Sequence, residues 1–356
     1  MAKSPRRSGI ELYRNISWLL AHYYPTHKMP KQRLVYIDLA KLVAIYLVVL
    51  GHVIVRSFAD EPYGDALYVS IYTFHMPLFM MMSGFFASSV LKLDFCGLLR
   101  KRLVQLLLPA VSCTVICLAY FFFTSDTVDC RTEIIDNSWF LKTLFLCNVT
   151  FWLVKRVKLP DVALFLGSWL IILLIPHSYS LQYNWMYPFF WMGYFLRKHD
   201  WMLEKYCGKI AVCSILLFAV CLTLKFAGHY NIDLLPTLDM PVSQLILLLF
   251  KFILGGVGSV MVIALCRLIC SRPRPFLERL AYFGRYTLGI YVTQSFLVVN
   301  VFHDIMPITC ANTLLRDLVA ILLSVVFTVM CVLVIRVLAR VKLLDIVLYG
   351  GQYRSC

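Results

Sequence analysis

The run Asp38-Leu-Ala-Lys41-Leu-Val-Ala-Ile-Tyr-Leu-Val-Val-Leu-Gly-His52 is apolar over enough length to cross a bilayer, yet it carries a carboxylate, an ammonium and an imidazole. Ionisable groups at membrane depth face a protein interior or a water-filled cavity, and they mark functional sites. On an α-helix, which turns about 100° per residue, the eleven-residue step returns Lys41 and His52 to nearly one face, roughly 16 Å apart along the axis. Asp38, three residues before Lys41, is within side-chain reach of it. One stripe of this helix therefore holds an ion pair toward one end and a titratable base toward the other.

The surrounding chain repeats the apolar character. Its 356 residues are 61% hydrophobic and only 15% charged, with a mean hydropathy of +0.78, more apolar surface than a soluble domain can hide. Long apolar blocks recur, whereas the short alternating strands of a membrane barrel do not. The reading is an all-α polytopic membrane protein embedded in the lipid bilayer. Apolar segments fall at 35–56, 66–91, 103–123, 138–154, 161–176, 184–197, 208–227, 242–268, 279–302 and 313–338, which predicts about ten transmembrane helices. The fifth and sixth segments are short and read as tilted into the protein interior or as locally thinning the bilayer.

The net charge of +15 resides at the ends of these segments. Lys92, Arg100, Lys101, Arg102, Lys155, Arg156, Arg197, Lys198, Arg267, Arg272, Arg336 and Arg340 fall on one side. Asp60, Glu61, Asp65, Asp126, Asp129, Glu133, Asp233, Asp239 and Asp304 fall on the other. This alternation follows the positive-inside rule and predicts that both termini are cytoplasmic, in a multi-pass protein of the plasma or inner membrane. Basic residues placed this way serve topology and anionic lipid headgroups, so no nucleic-acid partner is expected. Residues 1–33 read as a basic cytoplasmic segment. Within it Leu12, Ile16, Leu19 and Tyr23 stand at the spacing of an interfacial helix. Residues 34–340 read as the transmembrane domain and 341–356 as a short cytoplasmic tail. Neither a cleaved signal peptide nor an internal repeat is legible. Most of the 13 cysteines lie inside apolar runs as small hydrophobes, while Cys130 and Cys310 fall in outer connections where they can pair. No cysteine or histidine cluster has metal-ligand spacing, so no metal is expected.

The chemistry-bearing groups lie in the membrane segments. In Tyr72-Thr-Phe-His75-Met-Pro77-Leu-Phe-Met-Met-Met-Ser83-Gly84 the chain runs back inward, which sets His75 at a depth similar to that of His52 on the neighbouring span. Pro77 removes a backbone hydrogen bond just past His75, and the expectation is a helix kinked around a cavity. Imidazole titrates near neutrality and suits proton abstraction from a hydroxyl. The basic run Arg100-Lys101-Arg102-Leu-Val-Gln105 leads into the third span at Pro109. It either anchors that span or, beside Lys41, binds phosphates.

Taken together, the Lys41-x10-His52 spacing and Phe74-His75-Met-Pro77 through Ser83-Gly84-Phe resemble the membrane-bound acyltransferase-3 family, its fucose 4-O-acetylase-like branch in particular. The basic run ending at Pro109, Trp139-Phe140-Leu141, Phe189-Phe-Trp-Met-Gly193-Tyr194-Phe-Leu-Arg197 and Gly284-Arg-Tyr-Thr287-Leu-Gly-Ile-Tyr291-Val-Thr-Gln294 extend the likeness over residues 33–340. Two positions depart from the family pattern: Gln105 stands where the family's Arg-x-x-Arg places its second arginine, and Gln294 stands where many relatives have histidine.

The resemblance implies transfer of an acyl group, usually acetyl from cytoplasmic acetyl-CoA, to a hydroxyl of a carbohydrate acceptor. It makes His52 the catalytic histidine and Lys41 its partner in donor handling. On that basis Lys41 with Asp38, Arg100, Arg102 and Arg285 is expected to hold the donor. His52 is expected to act as base with His75 beside it, and Ser83, Tyr291 and Gln294 to contact substrate. Two other readings of the residues stay open. Buried His, Asp and Lys also build proton relays in secondary transporters, and they can merely lock helix packing as hydrogen-bonded or neutralised pairs.

Overall fold

Helix α1 (Val35–Ser57) runs without a break through the organising stretch, so Lys41 and His52 share one helical face. Its buried side, including Ile37, Ala40, Ala44, Ile45, Val48, Val49, Val53 and Ile54, is covered by helices from both halves of the chain. The computed structural model describes residues 34–57, 65–124, 134, 137–175, 181–228, 235–237, 240–272, 274–301 and 312–353. The expected interfacial helix in 1–33, the Cys130–Cys310 pair and the connecting residues that carry most of the outer acids lie outside them.

The second apolar segment is divided. Asp65 caps α2 (Ala66–Tyr72) by accepting the Tyr68 N–H at 2.9 Å, and the helix stops at Thr73–Phe74. A second piece, α3 (His75–Phe85), then begins. Pro77 is therefore not a mid-helix kink. It occupies the first turn of α3, where an N–H has no intrahelical partner to lose, and the interruption precedes His75.

After a 3-10 turn (Ala87–Lys92) come α4 (Phe95–Arg102), a π-helical turn (Leu103–Leu107) and α5 (Leu108–Thr124). They are followed by α6 (Trp139–Val154), α7 (Asp161–Leu173), α8 (Tyr183–Lys198), α9 (Asp200–Lys205), α10 (Cys207–Ala227) and α11 (Val242–Ile269). The ninth apolar segment is also divided, into α12 (Pro275–Tyr282), a 3-10 turn (Phe283–Tyr286), α13 (Thr287–Phe296) and a π-helical turn (Leu297–Val301). The long α14 (Thr313–Leu338) and short α15 (Lys342–Tyr349) complete the order.

Among the described residues there is no strand. Within those residues six helical stretches are long and apolar enough to cross a membrane: Val35–Arg56, Ala66–Lys92, Phe95–Thr124, Cys207–Ala227, Val242–Ile269 and Thr313–Leu338. Trp139–Val154 and Asp161–Leu173 are apolar but shorter. Val212, Leu216, Val220 and Leu224 stand exposed at four-residue intervals along α10. Such a stripe is tolerated where lipid is the solvent.

Glycines set the closest helix approaches. A Cβ on Gly84 would run into the Phe190 carbonyl, and a Cβ on Gly193 into the Met81 carbonyl, so α3 and α8 cross backbone against backbone. Gly284 meets the Asp38 carbonyl in the same way, which presses the turn carrying Arg285 against the start of α1. Two ion clusters join helix ends. Asp161 takes Lys155 at 2.5 Å and Lys198 at 2.8 Å, tying α6, α7 and α8. Asp200 accepts from Arg267 and from the Tyr36 hydroxyl, tying α9, α11 and α1.

Candidate functional site

A cavity of about 390 Å³ opens at the Lys41 end of α1. Five parts of the chain build it. Helix α1 supplies Asp38 and Lys41, α3 supplies Phe79 and Ser83, and α6 supplies Phe140 and Leu141. The Gly284 turn and α13 supply Arg285, Thr287 and Tyr291, and the chain after α15 supplies Gln352 and Tyr353.

Lys41 Nζ lies 3.5 Å from Asp38 Oδ1 and 4.8 Å from the centre of the Phe86 ring. Side-chain exposures of 27% and 15% leave the pair in contact with the cavity and open to a polar ligand. Arg285 is exposed, with its guanidinium 4.6 Å above the Tyr282 ring. Two cations thus face one mouth, and Lys41 has the Asp38 carboxylate alongside. Ser83 Oγ donates to the Phe79 carbonyl at 2.9 Å, which leaves its lone pairs as acceptors. The remaining walls are aromatic and aliphatic, a composition suited to an extended ligand with a charged end.

The imidazoles lie at the other end of the same helices. His75 is 4% exposed, and its Nδ1 lies 2.9 Å from the Ile71 carbonyl, at the break between α2 and α3. A carbonyl only accepts, so Nδ1 carries a proton, and in the neutral form of the ring the lone pair then lies on Nε2. The Tyr72 ring lies 4.6 Å from that of His75, and it also covers Gly51, next to His52. His52 is partly exposed and within electrostatic range of His75.

The structure therefore brings Asp38, Lys41, Ser83, Arg285 and Tyr291 around one space and places His52 and His75 together outside its wall. Arg100, Arg102 and Gln294 do not line it. Arg100 is exposed on α4, and Arg102 donates to the Gln105 carboxamide at 3.3 Å, an interaction within its own turn. Gln294 is fully buried: its Nε2 donates to the Tyr291 carbonyl at 3.3 Å and to Ser295 Oγ at 3.2 Å, while Oε1 has no hydrogen-bond partner among the described residues. No group of three or more His, Cys, Asp or Glu among the described residues is placed to hold a metal ion.

Sequence reasoning passed over Gln352 and Tyr353. The signal for them was the Gly350-Gly351 pair after an amphipathic stretch, which marks a sharp reversal of the chain.

Residues 34–339 match the acyltransferase-3 family model, described as an acyltransferase domain. The nodulation protein NolL of Sinorhizobium fredii is 28% identical over 285 residues, 72% of this chain and 76% of the relative. NolL of Mesorhizobium japonicum is 29% identical over 171 residues, 44% of this chain and 46% of the relative. No solved structure matches the chain.

Proposed function

This chain belongs to the acyltransferase-3 family, and from that premise we propose that it is an integral membrane O-acetyltransferase using cytoplasmic acetyl-CoA. Its acceptor is a hydroxyl of a cell-surface or secreted carbohydrate, or of the lipid-linked precursor. The observation that carries the reading is the cavity at the foot of α1, where Lys41 and Arg285 face one mouth while His52 stands about three turns further along the same helix. Coenzyme A joins a phosphorylated nucleotide to its thioester through an extended arm, so it needs cations at one end of its site and a base near the other. Asp38 limits the mobility of Lys41, and Arg285 adds the second charge. Arg100 and Arg102, at the cytoplasmic face, attract the phosphates on approach.

In the reaction His52 takes the proton of the acceptor hydroxyl as the oxygen attacks the thioester carbonyl carbon. The C–S bond then breaks, the departing thiolate receives the proton from the imidazolium, and the O-acetyl product and coenzyme A separate. His75, with Nδ1 engaged, presents a lone pair at Nε2. It therefore positions the acceptor by taking a hydrogen bond from a hydroxyl and does not donate to an oxyanion. The protein crosses the plasma or inner membrane about ten times, with both termini cytoplasmic.

Purified protein given acetyl-CoA and acceptor polysaccharide tests the reading. His52→Ala should lower turnover by about 10²- to 10⁴-fold with donor binding retained. Mass spectrometry of the polysaccharide should lose the acetyl increment in the variant. Normal turnover in His52→Ala removes the assignment, and proton-coupled solute uptake without acyl transfer replaces the enzyme with a transporter.

A further inference from the structure

The segment 342–353 lies beyond the stretch that the family model matches, 34–339, yet it is built into the cavity wall. Helix α15 buries Asp345 and Tyr349 to 2% and 1% exposure. Ser112 Oγ on α5 donates to the Val347 carbonyl at 2.7 Å, and the Tyr349 hydroxyl lies 3.2 Å from Thr293 Oγ1 on α13. Burial raises the Tyr349 phenol above its ordinary value, which keeps it a neutral hydroxyl in this contact. Gly350 and Gly351, at φ of 66° and 73°, then turn the chain back on itself. A Cβ at Gly350 would press on the backbone of Val104 and Gln105, so only glycine fits there.

Asp345 fastens the returning strand of chain. Its carbonyl accepts the Gly351 N–H at 2.9 Å and its Oδ1 accepts the Tyr353 N–H at 3.1 Å. The Tyr353 hydroxyl accepts the N–H of Gly289, in the first turn of α13, at 2.9 Å, and its ring stacks on Tyr286 with centroids 5.2 Å apart. Gly289 is a helix-start donor without an intrahelical acceptor, so this bond satisfies a group that burial would otherwise penalise. Tyr353 is thereby fixed, and the residue before it, Gln352, lines the cavity with Lys41 and Arg285.

We infer that this C-terminal hook is a wall of the acyl-donor site, in which the Gln352 carboxamide binds the amide-bearing arm of a coenzyme A thioester and Tyr353 is the positioning residue that holds it. The inference rests on the proposed acetyltransferase reading and deepens it. A carboxamide both donates and accepts, as an amide does, and so matches the arm of the donor. The cations beside it suit the phosphates. The reading separates two parts of one ligand along the cavity wall.

Equilibrium binding of acetyl-CoA to the full chain in detergent, with S-acetylpantetheine as a competitor that lacks the nucleotide phosphates, tests this. Gln352→Ala should weaken both ligands by about five- to tenfold, the range expected for one lost hydrogen bond. Lys41→Ala should weaken only acetyl-CoA. Gln352→Glu conserves shape but adds a negative charge beside a polyanion, and it should weaken acetyl-CoA more than the alanine variant does. Tyr353→Phe should give a smaller loss for both ligands. If both Gln352 variants bind acetyl-CoA as the unaltered chain does while Lys41→Ala does not, the hook is not part of the site and the donor reading stands without it. If the unaltered chain fails to bind acetyl-CoA, or Lys41→Ala leaves binding unchanged, the donor reading of the cavity falls as well.

Discussion

His75 donates Nδ1–H to the Ile71 carbonyl at 2.9 Å, and that one bond decides what chemistry its ring can offer. The break between α2 and α3 makes the carbonyl available, and Pro77 allows α3 to restart without losing a donor. Two substitutions separate the structural bond from the chemical role. Asn places an amide N–H near the position of Nδ1, whereas Ala removes the donor and opens space. We expect His75→Asn to hold thermal stability close to that of the unaltered chain, and His75→Ala to lose about 1 kcal/mol for the missing hydrogen bond, with more for the void. Both variants should lose acyl transfer, since neither supplies the lone pair of Nε2. Thermal unfolding in detergent beside a turnover assay reads the two effects separately. At the same scale Lys41→Arg should keep most of the donor affinity that Lys41→Ala loses, because a cation above Phe86 and beside Asp38 is retained.

Among the elements, the α3–α8 crossing carries the most consequence for the site. Gly84 and Gly193 let two backbones touch, and α3 bears Phe79 and Ser83 on the cavity side and His75 at its start. Gly84→Ala puts a methyl group into a peptide carbonyl that cannot rotate away. The helices must part, at a cost of about 1–3 kcal/mol by analogy with overpacked cores. Gly167 on α7 has nothing within 4 Å of its Cβ position, and Gly167→Ala should change stability by no more than about 1 kcal/mol, in the stabilising direction, through helix propensity. Unfolding midpoints of the two variants in the same detergent check the contrast. The pair also shows how far the sequence could be read. Ser83-Gly84 is legible as a close-approach signal, but Phe190 as the group approached is not, because a glycine records that space is needed and not who fills it.

The whole molecule combines an apolar exterior with charged helix ends. The proposed topology of about ten spans with cytoplasmic termini predicts that tags fused at either terminus are protected from protease in intact cells, while a cleavage site inserted between Ala227 and Val242 is accessible from outside. Cleavage of an N- or C-terminal tag from outside would overturn that orientation. Composition and periodicity alone determined the all-helical membrane class, since apolar surface on this scale needs lipid and backbone groups in lipid must be satisfied within helices. They also placed Lys41 and His52 on one face, because helical geometry is local and repeats along the chain. Which cations reach the cavity was decided only by tertiary structure: Arg285 lines it, while Arg100 and Arg102 do not. So was the contribution of Gln352 and Tyr353, which are 300 residues or more from Lys41 in the chain and meet it only because two glycines fold the C-terminal segment back. Local patterns fix what an element is. The partners it meets depend on packing between segments whose order in the sequence carries no record of distance.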